Sequence, residues 1–258
     1  MRHPNHTNSV SCAHRNRLTL ARMAASLAAA ASLLVASPGW GDRYDHDRNH
    51  HGGKGYFAIG WSALDLEPLN DALVAAGYPR FSEDFLSLGG GGYGVIGRFV
   101  IGGQGHGYLG EGRDATLGTQ NYRSDLIAGM GFVDLGWVLW SGERTTLTPI
   151  VGLGGGGLSV EIEELAAPTF DEVLAQPGHR SDLSTGGFLV DLGVDFDVLL
   201  GRDFEEHRGG FLLGVRAGWI LSPIHGGWQL EDRDIAGGPD FGITGPYVRF
   251  LLGGGGGR

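Results

Sequence analysis

Across residues 54–253 the apolar residues recur with a period near two in eight segments, and the connections between segments alternate long and short from end to end. The segments fall at about 54–63, 84–97, 98–110, 120–140, 145–163, 183–200, 209–223 and 241–253. A period of two places successive side chains on opposite faces of a pleated strand, whereas a helix would repeat every three or four residues. The short connections, at residues 97–98, 141–144 and 201–206, carry the Gly, Ser and charged residues that suit hairpin turns. The sequence therefore predicts an all-β fold, an eight-stranded antiparallel up-and-down barrel. Glycine supports it: 49 of 258 residues are glycine, well above the usual share of roughly 7 %. Such a chain suits curved sheet far better than helix.

The face that meets solvent is decided by charge. In the sixth segment Phe188, Val190, Leu192, Val194, Phe196 and Val198 share one face, with Asp191, Gly193, Asp195 and Asp197 on the other. In the seventh, Phe211, Leu213, Val215, Ala217, Trp219 and Leu221 stand opposite Gly214, Arg216, Gly218 and Ser222. The remaining segments offer few charges, chiefly Asp134 and Arg249, so an exterior made of the polar face would be largely glycine and poorly soluble. Lipid is the better solvent for the apolar face, and the barrel is expected to be transmembrane. Phe57, Ile59, Trp61, Val190, Val194, Phe196, Val215, Trp219 and Phe250 are the expected lipid-facing residues, with Trp137, Trp140 and Trp219 toward the interfaces.

With Gly245, Val248 and Phe250 as a closing-strand pattern, the chain resembles the small outer-membrane β-barrels of Gram-negative bacteria, the broad OmpA, OmpX and OmpW type, over about residues 54–253. The resemblance implies an outer-membrane location. Short turns on the periplasmic side and long loops outside would leave both termini in the periplasm. The first long loop holds the one helical period after the N-terminal region, with Leu66, Leu69, Leu73 and Ala76 at spacings of three or four, Asp65 as N-cap, and Gly77 and Pro79 as the stop. A short helix folded over the barrel mouth is expected there.

Residues 1–41 contain four arginines and no acidic residue, followed by the apolar run at 23–36, which reads as a secretory signal peptide. Its removal would leave 15 basic and 29 acidic residues, a formal charge of −14, which excludes nucleic acid as a partner. Outer-membrane lipid is the expected surrounding, with a small solute or an extracellular partner at the acidic loops. Residues 42–53 read as a disordered polar lead whose His46, His50 and His51 are at most a weak metal site. No cofactor is expected, and residues 54–258 form the barrel domain.

His106, His179, His207 and His225 are scattered, with no serine at a recognisable strand spacing, so the expectation is a protein that is not an enzyme. The glycine clusters lack the following helix and lysine of a phosphate loop, since Lys54 is the chain's only lysine. At residues 154–157 the apolar parity changes from odd (Leu147, Val151, Leu153) to even (Leu158, Val160, Ile162), which predicts a β-bulge. The inward face is expected to carry a charge network of Asp134, Asp191, Asp195, Asp197, Arg216 and Arg249, with Gln104 and His106 as polar lumen residues. A tight turn after residue 200 would set Asp191 opposite Arg216 as a direct salt bridge. A lumen so filled suggests a structural or surface-interacting protein. A narrow channel for small or hydrophobic solutes and a soluble exported binding module are the alternatives.

Overall fold

A computed structural model describes residues 51–110, 112–165, 170–175, 180–201, 209–231 and 233–257. The expected signal peptide and most of the polar lead, with His46 and His50, lie outside these residues, as do His179 and His207. The chain forms a closed eight-stranded antiparallel barrel. Its strands are β1 (His51–Ala63), β2 (Asp84–Ile96), β3 (Phe99–Leu109), β4 (Gln120–Trp137), β5 (Thr145–Glu164), β6 (Arg180–Leu200), β7 (Gly210–His225) and β8 (Gly245–Gly257). Each pairs with its neighbour in sequence, and β1 pairs with β8, with Ile59 opposite Phe250 and Gly52 opposite Gly257. Arg113–Leu117 folds back on β4 and lengthens that wall outside the barrel proper.

Two boundaries differ from the sequence reading, for one reason. The polar lead does not run to residue 53, because β1 begins at His51. The glycine run beyond Phe250 is not a tail but the second half of β8, paired with Gly52–Tyr56 on one side and with Gly210 and Phe211 on the other. Glycines give no apolar periodicity, so a strand written in glycine is silent to a pattern of side chains. Its backbone pairs all the same.

The expected bulge at residues 154–157 is absent, since the pairing of β5 with both β4 and β6 runs through it without a shift. Odd residues of β5 point outward along its length: Val151 and Leu153 are exposed, Leu158 and Val160 buried. The apolar residues change face because the surroundings change, not the backbone. The interior of the lower barrel is polar and its outer wall apolar; the upper interior is apolar. At 20 and 21 residues, β5 and β6 exceed the 9–11 or so that a bilayer needs, so they stand above it. A register shift does occur between Phe188 and Val190 of β6, where β7 carries an extra residue at Ser222–Pro223. Proline has no N–H to give the ladder, which makes a bulge its natural place in a strand.

Helix α1 (Glu67–Ala75) occupies the first long loop. Its N-cap is Leu66 rather than Asp65, with Pro68 in the first turn, while the Asp65 carboxylate accepts the Glu67 N–H at 3.2 Å. Gly77, at φ +91°, turns the chain out of the helix. Leu66, Leu69 and Leu73 enter the barrel mouth and pack with Phe81, Phe85, Tyr108, Leu126, Met130, Leu158 and Leu189. Asn70 clamps the returning chain: its amide donates to Phe81 O at 3.2 Å and its carbonyl accepts Phe81 N–H at 2.8 Å. A second helix, α2 (Phe170–Ala175), lies in the third long loop, where the sequence shows no helical period.

Candidate functional site

The outer wall and the interior exchange the roles they have in a soluble protein. Phe57, Ile59, Trp61, Val194, Phe196, Val215, Trp219 and Phe250 all stand exposed on the wall, and Val190 is half-buried beside them. Trp137 ends β4 and Trp140 lies in the short turn that follows, while Trp61 and Trp219 sit toward the opposite ends of their strands. Asp134, Asp191, Asp195, Arg216 and Arg249 are fully buried, and Asp197, Gln104 and His106 nearly so.

The charges form one connected cluster inside the barrel. Arg216 of β7 is its hub. Its guanidinium donates to both carboxylate oxygens of Asp195, to the Tyr93 hydroxyl, and to Asp134 Oδ2 at 3.4 Å. Tyr93 in turn donates to Asp134 at 2.6 Å and lies 2.9 Å from the Tyr56 hydroxyl. Lys54 Nζ bonds Asp195 at 2.9 Å and Asp197 beside it, closing the cluster toward the end of the barrel where β1 begins. Gln104 bridges the halves: its amide donates to Asp191 at 2.8 Å and Asp134 at 3.2 Å. Its carbonyl accepts from Arg249 at 3.1 Å and lies 2.8 Å from His106 Nε2. Asp191 also accepts the Tyr247 hydroxyl at 2.7 Å. Arg249 stacks 3.8 Å over the Tyr247 ring, and its Nε and Nη2 have no protein partner among the described residues.

The expected pair of Asp191 and Arg216 is thus replaced by Asp195 and Arg216. Leu200 pairs with Phe211, so the connection is longer than the turn assumed from sequence and Arg216 faces Asp195, with Asp191 opposite Ile220. Lys54 was not among the expected lumen charges, although it shares parity with Tyr56 and Ala58 and opposes Phe57, Ile59 and Trp61. That parity was the available signal. Two glycines give the long side chains room. A methyl on Gly60 would stand 2.8 Å from Arg249 Cγ, and one on Gly89 would strike the His106 ring.

Tyr56 and Tyr93 of the cluster also pack with Ala58, Val100, Ile150, Leu212 and Leu251 in one apolar group, and the layer topped by α1 fills the mouth. Among the described residues no group of three or more His, Cys, Asp or Glu side chains is placed to hold a metal ion. At the rim His225 Nδ1 lies 3.1 Å from Asp240 Oδ1, beside Ser222, a grouping that the spacing in sequence hides.

A closed barrel with an apolar outer wall and a charged, buried interior defines a transmembrane β-barrel. More narrowly, eight antiparallel strands with the last paired to the first put it at the small end of such barrels. The fold is similar to outer membrane protein AlkL in lipid bilayers, at 11 % identity and TM-score 0.33 over 86 % of this chain and 96 % of that one. It is similar to OprG from Pseudomonas aeruginosa at 14 % identity and TM-score 0.31, over 84 % and 99 %. The outer membrane protease OmpT from Escherichia coli is matched at 10 % identity and TM-score 0.29, over 84 % and 98 %. No protein-family model matches the sequence, and neither does any curated protein.

Proposed function

We propose that the chain is an outer-membrane barrel with a closed, non-conducting lumen, serving the envelope as a structural wall or through its long acidic loops. One observation carries this reading: Arg216, fully buried, has its guanidinium bonded to Asp195, Asp134 and Tyr93 of the barrel itself, and the apolar layer topped by α1 fills the mouth above it. A conducting path would need a continuous hydrated route past fully buried Arg216, Asp134 and Asp195. Opening one means separating charges in a low-dielectric interior, which is costly unless water replaces each lost partner. The short connections lie at the same end as the free ends of β1 and β8, which supports periplasmic termini.

Conductance of the refolded protein in planar bilayers tests this. Wild type should show no stable current steps, whereas Arg216→Ala, which unties Asp195 from Asp134 and Tyr93, should show them. A wild-type barrel that conducts steadily at low voltage overturns the closed reading in favour of a narrow channel. A folded chain that remains dispersed in detergent-free buffer would make it a soluble module instead.

A further inference from the structure

One area of the lipid-facing wall carries no side chains. Gly107, Gly129, Gly157 and Gly186 lie side by side across β3, β4, β5 and β6, and Gly105, Gly131 and Gly155 form the next row. All share the outward parity of Ile127, Val133, Leu153 and Phe188 on their strands or the neighbouring ones, and those large residues stand exposed. A floor of bare backbone is thus framed by apolar side chains: Leu109 and Ile127 on the side of the long connections, Val133 and Leu153 on the other, and Phe188 at one end. From Ile127 to Val133 the depression runs about 20 Å along the strands, and from β3 to β6 about 14 Å across them.

We propose that this depression binds a membrane lipid with an ammonium head group, its acyl chains on the glycine floor and its head against a row of carboxylates beyond Ile127. The site goes beyond the closed-lumen reading and is independent of it, since it lies on the other face of the wall.

The barrel's own packing does not require these glycines. Inward-facing Gly102 and Gly154 are fixed by close approach, because a methyl on either would strike the carbonyl of the neighbouring strand. Outward, a methyl on Gly107 would meet nothing within 4 Å, and those on Gly105 and Gly129 would lie 3.7 and 3.5 Å from the nearest backbone oxygen, an ordinary contact. Glycine in a strand marks a place where something approaches the backbone closely. Here the approach comes from outside, and the floor is continuous with the apolar wall that faces lipid. Chains lying on flat backbone gain dispersion contact along their whole length, which a wall of projecting side chains would deny them.

Charge selects the head group. Immediately beyond Ile127 and Ser159, Asp125, Glu161 and Asp182 oppose one another across β4, β5 and β6. The next outward row is Arg123, Glu163 and Arg180, so four carboxylates face two guanidiniums. Arg123 lies 3.4 Å from Asp125, Arg180 pairs with Glu161, and Asp182 accepts the Ser159 hydroxyl. The surplus is negative, which repels a lipid whose only charge is phosphate and favours an ammonium that donates to carboxylate oxygens.

The test refolds the full chain into vesicles of equal parts phosphatidylethanolamine and phosphatidylglycerol, transfers it to mild detergent and counts retained lipids by native mass spectrometry, with gel migration as the check of folding. Wild type should retain phosphatidylethanolamine at least tenfold over phosphatidylglycerol. Gly107→Leu and Gly129→Leu, which fill the floor where a side chain has room, should each lose the bound lipid, and Gly155→Leu provides a third position should either fail to fold. Gly94→Leu, outward-facing beyond the frame, should retain lipid as wild type does. Asp125→Asn combined with Asp182→Asn should keep a bound lipid but lose the preference between the two heads. A folded wild-type barrel that retains no lipid, or floor variants that retain it undiminished, overturn the site. Equal retention of both lipids by wild type overturns the ammonium assignment.

Discussion

Arg216 and Arg249 are both fully buried, yet they differ in what holds them. Arg216 is bonded to Asp195 and Asp134, whereas Arg249 has Gln104, the Tyr247 ring and no carboxylate among its hydrogen-bond partners. Removing one partner of a buried ion pair strands the other, at a cost of roughly 3–5 kcal/mol. Arg216→Ala should therefore destabilise by about that much in urea unfolding from detergent micelles. Adding Asp195→Ala should recover part of the loss, with a larger coupling than Asp191→Ala gives in the same cycle. Equal coupling at the two aspartates would contradict the register. Glycines with and without room differ just as sharply. Gly60→Ala pushes a methyl toward the Arg249 side chain and the Val248 carbonyl, while Gly107 has open space. Gly60→Ala should cost about 1–3 kcal/mol by overpacking, and Gly107→Ala within about 0.5 kcal/mol of nothing. Unfolding midpoints of the two variants check this directly.

Among the elements, α1 decides whether the mouth is closed. The helix is only nine residues long, too short to be stable alone in water. What holds it is the burial of Leu69 and Leu73 in the upper layer and the two bonds from Asn70 to the Phe81 backbone. Leu69→Ala or Leu73→Ala should each cost about 2–5 kcal/mol of local packing. The expected readout is faster protease cleavage within residues 64–83 in the folded barrel, with Val74→Ser, at an exposed position, as the neutral comparison. Cleavage unchanged in both leucine variants would mean that the helix does not rely on the core beneath it. Strand β7 shows another way an element sets contacts: a bulge at Ser222–Pro223 breaks the ladder with β6 and changes which side chains meet.

At the scale of the whole molecule, closure pairs each of the eight barrel strands on both sides, and lipid takes the place of the second hydrophobic layer a soluble sheet would need. Val194 on the outer wall should tolerate no charge: Val194→Arg should cost roughly 2–4 kcal/mol near the bilayer midplane. Glu163, exposed near the far end of β5, should accept arginine with little effect, because that part of the wall stands in water. The folded fraction in phospholipid vesicles, read from gel migration, compares the two. Equal losses, or none in either, would place the membrane elsewhere on the barrel.

The strand number, the closure of first strand on last, the outward face of β1, β6, β7 and β8 and the helix over the mouth were all legible in sequence. Each follows from local periodicity, and periodicity is a property of neighbouring residues. The partner of Arg216 was not, because it depends on the length of the connection between β6 and β7, and a few residues of loop move every cross-strand pair together. Lys54 was legible by parity but isolated among uncharged neighbours. The glycine half of β8 gave no signal, since pairing there is carried by backbone alone. The change of apolar face along β5 was misread as a bulge because one strand passes from lipid level to water while its interior passes from polar to apolar. The grouping of Ser222, His225 and Asp240 needed the real bulge and the return of a distant loop. Side-chain pattern fixes which way a strand faces; only the closed barrel, with its actual register, decides which side chains touch.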